Sequence, residues 1–267
     1  MEPPSSLSSY SSQVRQTGFY PGAVFPNPGQ PTVVLPKGLN PKIIKIGQLE
    51  FTFQIGNITA RTAARLRQIL MGEIPIMAID CVEIYKNTSI LQDEILAQRL
   101  GLIPLTSSNI TWLPFSRGCD CDCPDQLPDC SKCSVILHLR VTGDKQKFPI
   151  VEGRRRKFIS VTSQNIMPEN RSYQIKPVEY RIPDSNGGTI PGAILLARLQ
   201  EGQELQIRCI AKKGIGADHS KFSSVAGVFF DETETGDIIF TVGITGALSP
   251  KEVLEELVRI YSSEKLI

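Results

Sequence analysis

The chain has 267 residues, of which 41% are hydrophobic, so it can bury a substantial core without disulfide staples. Its 29 basic and 27 acidic side chains leave a formal net charge of +2, and no global positive field draws the chain onto nucleic acid. Contact with DNA would therefore have to be local.

The first residues show no sign of export. Met-Glu-Pro-Pro is followed by serines rather than by the apolar core of about 7 to 15 residues that marks a secretory signal. No apolar run approaches the roughly 18 to 20 residues of a membrane span. We therefore expect the seven cysteines to lie in a reducing compartment, where clustered cysteines are more often a metal site than a disulfide framework.

The N-terminal part of the chain differs in composition from the rest. Residues 1–40 are rich in Ser, Pro, Gly and Gln and follow neither helical nor strand periodicity, which predicts a disordered arm. From residue 43 the pattern changes to β-forming residues around a Gly-Gln-Leu-Glu turn, which predicts a hairpin that ends near Gly56. Asn57 is the predicted cap of the helix that follows.

An amphipathic helix is predicted over residues 58–74. At about 100° per residue its apolar side chains share one broad arc, and Arg61, Arg65 and Gln68 lie opposite. The arc contains Ala60, Ala63, Ala64, Leu66, Leu70, Met71 and Ile74. Arg67 falls inside the arc, where a charged group must either extend to solvent at the edge or contact a partner surface.

The remaining elements complete an α+β pattern. Pro75 ends the first helix, residues 76–85 predict a buried strand, and a second helix over residues 91–100 stops at Gly101. Short strands, cysteines and turns continue to about residue 191, and a last helix is predicted over residues 250–262. The predicted plan is a discontinuous domain, residues 41–105 and 192–267, interrupted by a mostly β inserted domain, residues 106–191.

Five cysteines lie within fifteen residues in the inserted domain and end in a Cys-x-x-Cys knuckle. They are Cys119, Cys121, Cys123, Cys130 and Cys133. Four thiolates with short separations suit one tetrahedral Zn²⁺, and no His or carboxylate is placed to leave an open catalytic position. We favour Cys119, Cys121, Cys130 and Cys133 as the ligands of a structural zinc, with Cys123 a spare or a substitute. The alternative is a set of reduced or redox-active thiols without metal.

Other chemical motifs are weak. The basic run at residues 153–157 would suit phosphates or a nuclear address, but such a run is more often a solvated loop. Lys212-Lys213-Gly214-Ile215-Gly216 lacks the spacing of a phosphate loop. Asp218 and His219 would be half of a catalytic pair, without a recognisable nucleophile. We therefore expect no catalytic residue and no nucleotide cofactor.

Two segments carry a resemblance to a known family. The first is residues 73–80, Glu-Ile-Pro-Ile-Met-Ala-Ile-Asp. The second is residues 87–104, which begin Asn-Thr-Ser-Ile-Leu-Gln-Asp-Glu and end Leu-Gly-Leu-Ile-Pro. They resemble the assembly core of the alpha-like RNA polymerase subunits. The cysteine loop and residues 211–228 are similar to the polymerase II branch, whereas residues 87–94 are closer to the branch shared by polymerases I and III. The chain departs from the family at Gln68, where a second arginine is common, and at Phe222, where tryptophan is usual.

The resemblance implies a scaffold rather than an enzyme. A non-catalytic subunit of this kind would form a heterodimer with a smaller alpha-like subunit through its first and last helices, with Leu66, Arg67 and Leu70 at or beside the partner helix. The heterodimer would then nucleate assembly of the largest and second-largest polymerase subunits, together with small assembly subunits. The chain would act in the nucleus, contact DNA only through the complex, and contact no membrane.

Two other classes of function remain open at this point. A free zinc-dependent nucleic-acid-binding or regulatory protein would use the cysteine loop and the basic run, although the near-neutral charge argues against it. An enzyme would need a set of nucleophile, base and oxyanion donors that the sequence does not display. Within the scaffold class, the alternative to the polymerase II branch is the larger alpha-like subunit shared by polymerases I and III.

Overall fold

A computed structural model describes residues 39, 41–47, 49–120, 130–144, 150–151, 154–155, 157–170, 174–183 and 189–264. In these ranges the strands are β1 Lys42–Ile46, β2 Glu50–Ile55, β3 Ile76–Asn87, β4 Ser134–Thr142, β5 Ile150–Val151, β6 Arg154–Arg155, β7 Ile159–Thr162, β8 Ile166–Pro168, β9 Tyr180–Pro183, β10 Thr189–Gly192, β11 Leu195–Leu199, β12 Glu204–Gly214, β13 Val225–Glu232 and β14 Ile238–Ile244, and the helices are α1 Ala60–Gly72, α2 Asp93–Gly101 and α3 Pro250–Glu264. The prediction of mixed α and β structure is confirmed. The predicted disordered arm falls, except for Leu39, outside the described residues.

The first sheet is antiparallel and has the order β1-β2-β14-β13. Its inner face carries a ladder of aromatic rings, in which Phe53 and Phe240 stack with centroids 4.9 Å apart. Helices α1 and α3 cover this face, and together they enclose the first hydrophobic core. The sheet is held in register because β2 and β14 each place alternate residues in that core.

The second sheet has the order β3-β12-β4-β8 and is covered by α2 and by the β7–β11 pair. Strand β3 begins between the two cores. Ile76 and Ala78 point into the first core, while Met77 and Ile79 point into the second. This arrangement explains why β3 reads as a continuous apolar run rather than as an alternating one.

The second core joins side chains from both sides of the predicted domain boundaries. Leu96 of α2 and Leu205 of β12, assigned to the discontinuous domain, pack in one cluster with Leu137 of β4, assigned to the insert. Two cores that share a strand need not be two folding units. The division into residues 41–105, 106–191 and 192–267 therefore stays a prediction.

The predicted cap of the first helix is wrong. The N-cap is Thr59, whose hydroxyl accepts a hydrogen bond from the backbone N–H of Thr62 at 3.2 Å. Asn57 has a φ of 57° and turns the chain between β2 and α1. A left-handed residue cannot cap, because an N-cap needs the extended backbone that Thr59 adopts.

Candidate functional site

Three of the predicted zinc ligands lie together. The Sγ atoms of Cys119, Cys130 and Cys133 all lie within 4.8 Å of one another, and those of Cys119 and Cys130 are 3.9 Å apart. Zinc–sulfur bonds of about 2.3 Å in a tetrahedron place two sulfurs roughly 3.8 Å apart, so the separation of Cys119 and Cys130 fits the ion and Cys133 lies close by. Cys121 and Cys123 lie outside the described residues, and the fourth ligand remains a prediction.

The Cys-x-x-Cys knuckle is a tight turn that leads directly into β4. The backbone N–H groups of Cys133 and Ser134 both donate to the carbonyl oxygen of Cys130, at 3.3 and 2.9 Å. The Ser134 hydroxyl donates to the same oxygen at 2.6 Å. Lys132, which lies within the knuckle, donates through its Nζ to the carbonyl oxygen of Asp120 in the first half of the loop, at 3.2 Å. The two halves are thereby held against each other.

The surroundings of Cys133 favour its protonated, neutral thiol. Burial raises the pKa of Cys133 above its ordinary value, and the neighbouring Cys130 raises it further. Hydrogen bonds with Cys119 and Ser116 act in the opposite direction. A bound dication would compensate three close thiolates, and its binding would release protons.

The two cysteines outside the loop belong to the second sheet. Cys209 lies in the second core, where burial raises its pKa to about 12. Cys81 is also buried. A thiol with so high a pKa is a poor nucleophile and a poor metal ligand at neutral pH. The spacing of the cysteines in the sequence correctly separates these two from the cluster.

The predicted partner residues of α1 do not share one environment. Leu66 and Leu70 are 0% and 1% exposed and pack in the first core against the chain's own sheet. Arg67 is exposed, and its Nε donates to the Val228 carbonyl of edge strand β13 at 3.0 Å. The two leucines therefore have no surface that a partner could contact, and of the three residues only Arg67 is accessible. The interface assignment stays a prediction.

A charged contact between α1 and α3 was not anticipated from the sequence, which placed Arg65 on a solvent face. Its guanidinium donates to Glu73 at 2.5 and 3.0 Å and also binds Glu264 near the end of α3. The hydrogen bonds to Glu264 and then to Glu73 raise the pKa of Arg65 above its ordinary value. Residues 65 and 264 are so distant in sequence that no local pattern could have revealed the pair.

The motifs considered for catalysis have structural contacts. Asp218 forms an ion pair with Arg117 at 2.6 Å, and His219 Nδ1 accepts from the Lys221 N–H at 3.1 Å. The structure therefore does not bring Asp218 and His219 together as a catalytic pair. In the basic run, Arg154 and Arg155 form strand β6, and their side chains lie outside the described part of the chain.

The Gly-Ile-Gly segment is explained by close packing on α1. The Ala217 N–H donates to the Gly72 carbonyl at 2.8 Å, and a Cβ on Gly216 would clash with the Met71 carbonyl oxygen. A Cβ on Gly214 would lie 2.7 Å from the ring of Phe222. Glycine is needed because backbone and ring approach closely, and no phosphate is required to account for it.

Gly216→Ala is expected to lower the free energy of unfolding by about 1 to 3 kcal/mol, since the oxygen that it would strike is helix backbone and cannot move cheaply. Urea denaturation followed by circular dichroism measures the loss. Gly118→Ala is the matched control, because its Cβ would meet nothing within 4 Å. Equal unfolding free energies for the two variants would contradict the packing account.

None of the helices in the described ranges has the length and apolar character needed to cross a bilayer.

Residues 82–229, more than half of the chain, match the family described as the RNA polymerase Rpb3/RpoA insert domain. The chain belongs to this family. The resemblance to the alpha-like RNA polymerase subunits is thereby confirmed.

Individual relatives of this Rpb3/RpoA family member are RNA polymerase subunits. The chain is 37% identical to the DNA-directed RNA polymerase II subunit rpb3 of Dictyostelium discoideum, over 68% of the chain and 54% of that protein. The DNA-directed RNA polymerase II subunit RPB3 of Schizosaccharomyces pombe is also 37% identical, over 71% of the chain and 58% of its own length. The DNA-directed RNA polymerases I and III subunit RPAC1 of Saccharomyces cerevisiae is 29% identical, over 71% of the chain and 56% of its length. The chain spans less than two thirds of each.

Proposed function

We propose that this chain is a non-catalytic scaffold subunit of nuclear DNA-dependent RNA polymerase II. The observation that carries the proposal is 37% identity to polymerase II subunits of two organisms over about 70% of the chain. The polymerase I and III subunit is the second candidate, favoured by the character of residues 87–94 but less similar at 29%. In either case the chemistry of transcription would belong to other subunits.

The proposed partner surface is the outward face of α1 together with α3. Arg61, Ala64, Gln68 and Met71 recur at spacings of three or four residues and are exposed along α1. Leu66 and Leu70 lie on the buried side of the same helix and hold it in place by packing in the first core. A smaller alpha-like subunit would pack its own helices on this surface, and the heterodimer would then bind the largest and second-largest subunits and small assembly subunits.

The proposed cofactor is one structural Zn²⁺. Cys119, Cys130 and Cys133 would supply three ligands, and Cys121, or Cys123 in its place, would supply the fourth. The ion would staple the loop that precedes β4 to the second sheet. With four thiolates around it, the zinc would have no open position for a substrate.

Affinity purification of the tagged chain from the organism that encodes it tests the proposal. A polymerase II scaffold should bring down one smaller alpha-like subunit and two very large polymerase subunits in equal amounts. Recovery of the polymerase I and III large subunits instead would establish the second candidate. Purification as a free protein, or with nucleic acid alone, would reject both.

Arg67→Ala is expected to weaken assembly with the large subunits more than it destabilises the chain. The part-buried hydrogen bond to Val228 accounts for only about 0.5 to 1.5 kcal/mol of stability. Quantitative co-purification with the two large subunits, alongside thermal unfolding, separates the two effects. Arg140→Ala, which removes an exposed arginine of β4 that lies outside the proposed partner surface, is the control. Unchanged recovery with Arg67→Ala would remove this residue from the interface.

A further inference from the structure

Lys213 is a buried charge that belongs to neither the metal cluster nor the surface. It stands near the end of β12 and is 7% exposed, and burial lowers its pKa below the ordinary value. Its Nζ donates to the carbonyl oxygens of Ile110 at 3.2 Å and Leu113 at 3.1 Å, and lies 5.0 Å from the centre of the Phe115 ring. The hydrogen bonds of the ammonium are thus directed at one short segment, residues 110–115, while Glu256 of α3 acts on it electrostatically.

That segment leads directly into the metal cluster. Phe115 precedes the short helical turn Ser116–Gly118, in which the Gly118 N–H donates to the Phe115 carbonyl at 3.0 Å, and Cys119 follows. A second contact is made by Arg117, whose Nη2 lies 2.6 Å from Asp218 Oδ2. The first half of the loop is therefore fixed at two points by residues 213–218, a segment about eighty residues beyond the last cysteine of the cluster.

Residues 213–218 also contact the C-terminal turn of α1. The Ala217 N–H donates to the Gly72 carbonyl at 2.8 Å, and Gly216 packs on the backbone at Met71. The Asp218 N–H closes the turn by donating to the Ile215 carbonyl at 3.0 Å. One short segment therefore contacts the metal loop on one side and the helix that is proposed for assembly on the other.

We propose that residues 213–218 are a strut that positions the metal loop through Lys213 and Asp218 and links occupation of the cysteine site to the last turn of α1. Groups that orient a metal-binding loop without touching the ion are known to matter for affinity. The inference rests on the proposed zinc site. Lys213, Asp218 and Arg117 would act on that site without ligating the metal.

Zinc affinity of the full-length chain, measured by competition with a chromogenic chelator, tests the positioning role. Lys213→Met keeps the aliphatic stem but removes the ammonium, and zinc affinity is expected to fall about tenfold, the lower end of the range for groups that contact the ligands directly. Lys212→Met is the matched control, since Lys212 lies one position earlier in β12 and its Nζ is 3.9 Å from Asp80 instead. Equal affinity in wild type and Lys213→Met would overturn the proposal.

A second pair of variants decides the matter if Lys213→Met fails to fold. Arg117 is half-exposed, so Asp218→Asn and Arg117→Gln should fold, and each is expected to weaken zinc binding by roughly two- to fivefold. Because the two side chains share a contact, their effects on zinc affinity should be less than additive in the double variant. Wild-type affinity in both single variants, or fully additive losses, would contradict the strut.

Hydrogen exchange tests the link to α1. Removal of zinc from the wild-type chain by a chelator is expected to speed exchange of two amides, that of Glu73, which closes the last turn of α1, and that of Ala217, which donates to the Gly72 carbonyl of that turn. Exchange in the β1–β2 hairpin should stay unchanged. Unchanged exchange at those two amides, after zinc is shown to have left, would refute the link. A wild-type chain that never holds zinc is a different outcome, because it would reject the metal site and the strut together.

Discussion

Leu66→Asp is expected to unfold the chain rather than merely to separate it from a partner. Leu66 is 0% exposed in the first core, between α1 and the first sheet. Loss of a buried leucine costs about 3 to 5 kcal/mol through the cavity alone. The carboxylate adds a desolvation cost of several kcal/mol more. The sum approaches the roughly 5 to 15 kcal/mol that stabilises a typical domain.

Far-UV circular dichroism and urea denaturation of the isolated chain measure this effect. Ala64→Asp is the matched control, because residue 64 lies on the exposed face of the same helix and should cost under about 1 kcal/mol. Leu70→Asp should behave like Leu66→Asp, since Leu70 occupies the same core. A stable, cooperatively folded Leu66→Asp chain would show that the core is assigned to the wrong side of α1.

The same variants separate folding from partner binding. If the exposed face of α1 is the heterodimer surface, Ala64→Asp should prevent co-elution with the smaller alpha-like subunit while the chain itself remains folded. Loss of the heterodimer in Leu66→Asp carries no such information, because the helix would no longer be presented. A folded Ala64→Asp chain that still forms a stable heterodimer would place the partner elsewhere.

Replacing Cys130 and Cys133 together with serine is expected to abolish zinc binding, from one equivalent per chain to a small fraction of one. The change removes two ligands and disrupts the Cys-x-x-Cys knuckle that directly precedes β4. Structural zinc contributes about 10 to 16 kcal/mol to small zinc-finger peptides, but here the second core should keep β4 folded at a lower stability. The heterodimer should survive, because the first core contains no cysteine of the loop.

Elemental analysis of protein purified without chelator gives the metal content. Cys81→Ser is the control outside the loop and should keep its zinc, while separate Cys121→Ser and Cys123→Ser variants identify the fourth ligand. Well under one equivalent of zinc in the wild-type chain would reject the site. Loss of the heterodimer in the double variant would mean that loss of zinc disturbs α1 beyond its last turn, and it would contradict the predicted division into dimerisation and inserted domains.

Local patterns in the sequence determined the first hairpin, strand β3 and the helices of the described part of the chain. Residues 58–74, 91–100 and 250–262 predict helices that the structure places at Ala60–Gly72, Asp93–Gly101 and Pro250–Glu264. The predicted and observed ranges agree because an amphipathic helix can be recognised from the spacing of its own apolar side chains. The cysteine cluster is local in the same sense, since ligands from one short loop need no distant contact to be recognised.

Only the tertiary structure shows what covers the apolar side of α1 and which distant groups the buried and paired charges contact. Periodicity shows that α1 has an apolar arc, but it cannot say whether a sheet of the same chain or a second subunit lies against Leu66, because both would be equally apolar. The contacts of Arg65 with Glu264 and of Lys213 with Ile110 join residues about two hundred and one hundred positions apart. Such pairs arise only when the chain has folded, because folding, and not sequence spacing, brings the partners within hydrogen-bonding distance.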